Sequence, residues 1–288
     1  MIYDLQNGQT RARPWMSASA IIGVTVGVAA MLSAGSAHAI SVGGSSMTSW
    51  DGCQNSQNAL AYTDDQISLW LSKMQSLGHS RKFWFANSSV WASDFIEDAW
   101  GGQDHLYNDS VDFFALSSHG GAGESGGAQY WTTPACNGGT SASSFFQSWD
   151  SAWDESHPNP LASPAVGWAR FLMLLTCFSV DTQPNQQWGW PTSFGNDVIM
   201  GYRGLSADSW TTAEVGADLG EAAFNSGDTF KAAWFWAVED WAVDDTGAIL
   251  FGGVDAAHCA YRSDNLRANW PRRTGEQFFQ FCWSWHQG

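Results

Sequence analysis

Two residues of this chain have types and settings suited to covalent catalysis. The apolar run VDFFALSSHGG, Val111–Gly121, stops at the pair His119-Gly120, and the run WARFLMLLTC, Trp168–Cys177, stops at a cysteine. A thiolate is a strong nucleophile, and an imidazole within reach can take the thiol proton and later return it to a leaving group. The tetrahedral intermediate of such a reaction needs backbone N–H donors. Gly120, lacking a side chain, lets its amide approach that oxyanion.

The elements that carry these residues follow from the runs themselves. Short stretches rich in Phe, Leu, Val and Ile, bounded by glycine and polar residues, predict buried strands of a parallel sheet. In an open α/β sheet, ligands sit beyond the carboxyl ends of the strands, so both runs deliver their last residue to one crevice. Elsewhere, Ile67, Trp70, Leu71, Met74 and Leu77 repeat at helical spacing after Thr63 and Asp64, and Gly78 ends that helix. Residues 81–86 and 197–202 predict further strands. Helices are expected at about 88–99, 143–153, 212–224 and 229–241, the last two split by Asn225-Ser226-Gly227, and a last strand at 247–254. Residues 40–58 are expected to be loop, with one strand near Met47–Trp50. HGGAGESGG, residues 119–127, predicts a flexible ligand-facing loop, and the aromatic C-terminal segment is left unassigned. Alternation of strand and helix argues for a mostly parallel sheet with helices on both faces, in one domain over residues 40–288.

A hydrophobic strand ending in His-Gly, followed about 50 to 60 residues later by one ending in Cys, resembles the caspase, legumain and gingipain group of cysteine peptidases. The strand from Asp197 to Gly204 and the paired helices after it also look like a family of uncharacterised bacterial secreted proteins with the same His and Cys strands, and the resemblance covers roughly Arg81 to Val254. The resemblance implies a three-layer α-β-α caspase-like fold and a thiol hydrolase acting on peptide or protein substrates without a cofactor. It further implies Cys177 as nucleophile, His119 as general base, and the amides of Gly120 and Cys177 as oxyanion donors. One departure stands out: many members carry Ala or Ser directly before the cysteine, with an acid or Gln ahead of it, whereas this chain has Leu175-Thr176.

Other signals compete. Gly123-Glu124-Ser125-Gly126-Gly127 fits G-x-S-x-G, and Ala256-Ala257-His258-Cys259 resembles the histidine segment of trypsin-like peptidases, which suggests a serine hydrolase using Ser125. Their order is reversed, and that fold is a pair of β-barrels. Ser125 remains a candidate pocket residue. Asp181, four residues past Cys177, is a candidate selector of a basic substrate side chain. The carboxylates Asp150, Asp154, Glu155, Asp244 and Asp245 lack calcium-loop spacing, and no metal site is expected. Nineteen tryptophans, among them the close pairs Trp149/Trp153, Trp188/Trp190 and Trp283/Trp285, suggest a second reading: a non-enzymatic binding protein that contacts glycan through exposed rings.

Destination is read from the N-terminus. Arg11 and Arg13, an apolar segment from Ala18 to Leu32 and the ending Ala37-His38-Ala39 predict a secretory signal peptide over residues 1–39, and a secreted or periplasmic protein. The apolar core is shorter than the roughly 20 residues of a spanning helix, so no membrane span is expected in the mature protein. A net charge of −16, with 12 Lys plus Arg, argues against nucleic acid as a partner. Five cysteines in an oxidising compartment leave one unpaired. Cys177 is the expected odd one, while Cys53, Cys136, Cys259 and Cys282 allow three connectivities.

Overall fold

The runs that end at His119 and Cys177 lie side by side as parallel strands. The computed structural model describes residues 2–4, 39–50, 58–96, 101–122, 128–131, 145–147, 169–181, 195–241, 245–272 and 278–287. Its strands are β1 (Ile2–Asp4), β2 (Ser41–Ser46), β3 (Ser80–Ala86), β4 (Phe113–Ser117), β5 (Gly120–Ala122), β6 (Ala128–Trp131), β7 (Phe145–Gln147), β8 (Phe171–Leu175), β9 (Val198–Tyr202), β10 (Thr246–Gly253) and β11 (Gln280–Gln287). The α-helices are α1 (Thr63–Ser76), α2 (Val215–Gly220), α3 (Phe230–Trp241) and α4 (Ala256–Asn265). The main sheet has the order β1-β11-β10-β9-β8-β4-β2-β3. From β3 to β9 all neighbours run parallel, and β10 and β11 follow antiparallel. The protein is therefore α/β with a mostly parallel central sheet.

The sheet is buried on both faces, which is why β4 and β8 read as unbroken apolar runs. Phe113, Ala115, Phe171 and Met173 pack towards the helices, with Ile67, Trp70, Leu71 and Met74 of α1 and Phe230, Ala233 and Trp234 of α3. Phe114, Leu116, Leu172 and Leu174 point to the other face, covered by Ala92 in a 3-10 turn, by Val90 and Phe95 directly after such turns, and by Trp50. Each of the Leu, Ile, Val, Phe and Met side chains among them, fully removed from water, contributes roughly 1.5–3 kcal/mol. Helix α1 ends at Gly78, whose φ of +89° suits glycine.

Several expectations change. The strand placed near Met47–Trp50 lies instead at Ser41–Ser46, a Gly/Ser sequence with little β-propensity. It fits between β4 and the edge strand β3 because it has no bulk: a Cβ on Gly43 would lie 2.5 Å from the Phe83 ring, and one on Gly44 would lie 2.6 Å from Ile67 Cγ2. The helix expected at 88–99 is two 3-10 turns, Asn87–Ser89 and Ala92–Asp94, before residues 97–100, which fall outside the described ones. Within the glycine-rich loop, Gly120–Ala122 is a strand, in a small antiparallel sheet with β6 and β7. Strand β7 also replaces the start of the helix expected at 143–153; periodic aromatics there do not outweigh strand pairing. The unassigned C-terminal segment is β11. Ala256–Cys259 begins α4, where Asp255 accepts the His258 amide at 2.7 Å and the His258 ring accepts the Val254 amide at 3.3 Å. That histidine lies in the first turn of a helix capped by Asp255, in an α/β fold, which removes the trypsin-like arrangement.

Cys259 and Cys282 are disulfide-bonded and Cys177 is free. Cys53 and Cys136 lie outside the described residues. No helix among the described residues is long and apolar enough to cross a membrane.

Candidate functional site

The register between β4 and β8 pairs Ser117 with Leu175. His119 and Cys177 each lie two residues beyond that last pair, at the carboxyl edge of neighbouring strands. Both line one cavity of about 80 Å³. Leu60, Thr63 and Gln66, before and within the first turns of α1, form part of its lining. Ser118 and His119 form a second part, Leu175 and Cys177 a third, and Ser206, Ala207 and Asp208, beyond β9, the last.

Glycine at 120 is dictated by this geometry. A Cβ there would lie 2.4 Å from the Cys177 carbonyl oxygen and 3.0 Å from Thr176 Cβ. The His-Gly turn therefore packs directly on the Thr-Cys turn, and only a residue without a side chain permits the contact. Just past the thiol, Phe178 is held at φ +55°, its amide donating to the Gly204 carbonyl at 2.6 Å. A non-glycine residue in the left-handed region is strained by about 1–3 kcal/mol, so the turn after Cys177 is fixed by its surroundings.

His119 is half-buried against Trp50, ring centroids 5.0 Å apart, and its Nε2 lies 2.8 Å from the Asn58 carbonyl oxygen. A carbonyl only accepts, so Nε2 carries the proton, and Nδ1 of the neutral ring keeps its lone pair. The thiol of Cys177 lies 3.8 Å from both the carbonyl oxygen and Oγ of Ser206, and the Ser206 amide donates to Sγ at 3.4 Å. The Ala207 amide is held by both oxygens of Asp245, at 3.0 and 2.9 Å. Burial holds the Tyr202 phenol well above its ordinary pKa, with the charges of Asp245 and Cys177 adding to the effect.

The family assignment comes from sequence. Residues 48–266 match the family model described as a domain of unknown function, DUF6345. The chain belongs to that family. The match spans β4, β8, β9 and β10 and includes the residues that line the cavity. No curated protein matches the chain. Among solved structures, the chain is similar to the crystal structure of the Drosophila initiator caspase Dronc, at 11% identity and a TM-score of 0.44, over 83% of this chain and 84% of that one.

The predicted residues thus separate into groups. His119, Gly120 and Cys177 come together. Asp181 is half-buried and does not line the cavity, and Ser125 lies outside the described residues. The Trp283/Trp285 pair is not an exposed platform: Trp283 is 6% exposed, and the Arg203 guanidinium stacks over both rings, at 5.2 and 4.3 Å. The other two tryptophan pairs lie outside the described residues. Of the carboxylates weighed for calcium, Asp245 is spent on the Ala207 amide.

Sequence reasoning missed the Asn58 carbonyl, Gln66, and the Ser206–Asp208 wall. A backbone carbonyl has no side-chain signature. The wall was within reach, because β9 was predicted and its continuation had to arrive at the same crevice.

Proposed function

We propose that the protein is an exported thiol hydrolase acting on peptide bonds, with Cys177 as nucleophile and His119 as general base. The observation that carries this reading is the shared cavity at the carboxyl ends of β4 and β8, with Gly120 seated against the Cys177 carbonyl. His119 Nδ1 takes the thiol proton while Nε2 stays on Asn58. Sulfur attacks the substrate carbonyl carbon, and the amides of Gly120 and Cys177 receive the oxyanion. The imidazolium then protonates the departing amine, leaving a thioester. Water attacks the thioester with His119 again as base, which returns the free thiol and releases the acid. The Ser206 amide, aimed at Sγ, orients the sulfur. Residues 1–39 act as the export signal, and the Cys259–Cys282 bond fits an oxidising compartment.

Iodoacetamide treatment of the folded protein followed by peptide mapping tests the nucleophile, together with peptide-library hydrolysis by the wild type and Cys177→Ala. The expected result is carboxamidomethyl on Cys177 and no turnover by the variant. An unmodified Cys177, or undiminished hydrolysis by Cys177→Ala, defeats the reading.

A glycan-binding surface is the second reading, supported by Trp210, 67% exposed beside the cavity wall. Quenching of tryptophan fluorescence by oligosaccharides in Trp210-containing but not Trp210→Ala protein, without thiol reactivity, selects it.

A further inference from the structure

The cavity beside Cys177 has an electrostatic sign that the dyad does not use. Resting on the thiol-hydrolase reading, we infer that it selects a basic side chain at the residue preceding the scissile bond, with Asp208 as the counter-charge. Among the described residues, Asp208 is the one ionisable group lining the cavity apart from the dyad; Thr63, Gln66, Ser118 and Ser206 are neutral, and no described Lys or Arg contributes to the lining. The cation at the start of the same wall segment, Arg203, is stacked on Trp285 and Trp283.

Asp208 is held in place before any substrate arrives. Its Oδ2 accepts the Ala61 amide at 2.5 Å, and its Oδ1 accepts the Tyr62 amide at 3.0 Å. Amides are neutral, so these bonds orient the carboxylate without cancelling its charge, and each oxygen retains a second acceptor position. Asp208 also lies two residues from Ser206, whose amide reaches Cys177 Sγ at 3.4 Å. The charge and the thiol therefore border the same cavity, linked through the Ser206–Asp208 segment.

Discrimination follows from what each side chain meets. An acidic side chain faces a like charge, and a leucine desolvates the carboxylate without replacing the lost water. An ammonium or guanidinium forms a charge-assisted bond to it. Gln66 does not substitute: it is engaged with Ser117 Oγ, and its amide donates to Thr212 Oγ1 at 3.2 Å. The net charge of −16 draws cationic peptides in the same direction.

The test is hydrolysis of peptidyl aminomethylcoumarins that differ only in the residue before the coumarin: Lys, Arg, Gln, Leu or Asp. Wild-type protein is expected to prefer Lys or Arg over Leu and Asp by about 30-fold or more in kcat/KM, the scale of one desolvated charge pair. Asp208→Asn brings the Lys-to-Leu ratio below about threefold, and Asp208→Glu keeps the basic preference. A wild type that prefers Leu or Asp overturns the inference, as does an unchanged ratio in Asp208→Asn. Because Asp208 also ties the segment before α1, the wild-type profile and the Glu variant decide the matter if the Asn variant does not fold. Failure of the underlying reading is distinct: no substrate is cleaved and Cys177 resists alkylation, which removes this inference with it.

Discussion

The two ends of the same parallel strands are built on opposite terms. At the amino end, Arg170, one residue before β8, donates through Nε to Asp197 Oδ2 at 2.8 Å, and Arg262 of α4 donates to Asp197 Oδ1 at 2.8 Å. All three are buried. Asp112, before β4, accepts the Ser41 amide at 2.9 Å, the Ser41 hydroxyl at 2.8 Å and the Arg272 guanidinium at 2.5 Å. Burial alone would raise its pKa, but these partners hold it below the ordinary value. The Asp109 carboxylate accepts the Ala169 amide at 2.7 Å. At the carboxyl end there is instead a cavity, and among the described residues the thiol has partners at 3.4–3.8 Å. Dense charged bonding at one end holds the strands, and looser bonding at the other leaves a cavity beside the thiol.

The largest effect is expected at the filled end. Asp197→Ala strands two buried guanidiniums, and urea denaturation should show a loss of about 3–5 kcal/mol. If the loss is below 1 kcal/mol, the amino end is not the clamp described. Gly120→Ala strikes the junction at the other end: its methyl meets the Cys177 carbonyl. A destabilisation of about 1–3 kcal/mol is expected, with Cys177 alkylation at least tenfold altered in rate. An unchanged labelling rate would show that the two turns move independently.

Asp94 sharpens the contrast between buried carboxylates. It has the Trp91 amide as donor rather than a guanidinium, and burial, only partly offset by that amide, raises its pKa to about 6. In the unfolded chain the value is about 3.9. Between these pH values the native state binds more proton, so this group's contribution to stability falls as pH rises from about 4 to 6 and is level above. Asp94→Asn should therefore stabilise by about 1–2 kcal/mol at pH 7.5, with the gain vanishing near pH 4 in thermal melts. A gain that grows towards acid contradicts the assignment. The smallest effect belongs to the open end: Cys177→Ser should change stability by less than about 1 kcal/mol, because the thiol is half-buried and loosely partnered. A larger loss would make the sulfur a structural element.

Legibility in the sequence followed the same division. Strands β4, β8 and β9 were readable because burial on both faces demands continuous apolarity. Helix α1 was readable from the spacing of Ile67, Trp70, Leu71 and Met74. Strand β2 was not, because Gly43 and Gly44 are set by Phe83 of β3 and Ile67 of α1, partners distant in sequence. The stretch starting at Ala256 looked like a catalytic motif and is a capped helix. Asp208 carried no signal, since its meaning depends on where the chain returns after β9.

By itself, the sequence determined that two apolar strands end in an imidazole and a thiol, and that one cysteine of five has no partner to take. These are local facts, written in residue type and periodicity. Only the tertiary structure decided that Cys259 bonds Cys282, that the Asn58 carbonyl takes one nitrogen of His119, and that a carboxylate from beyond β9 lines the cavity beside Cys177. Those depend on distances between segments far apart in the chain, which packing sets and no single stretch of sequence contains.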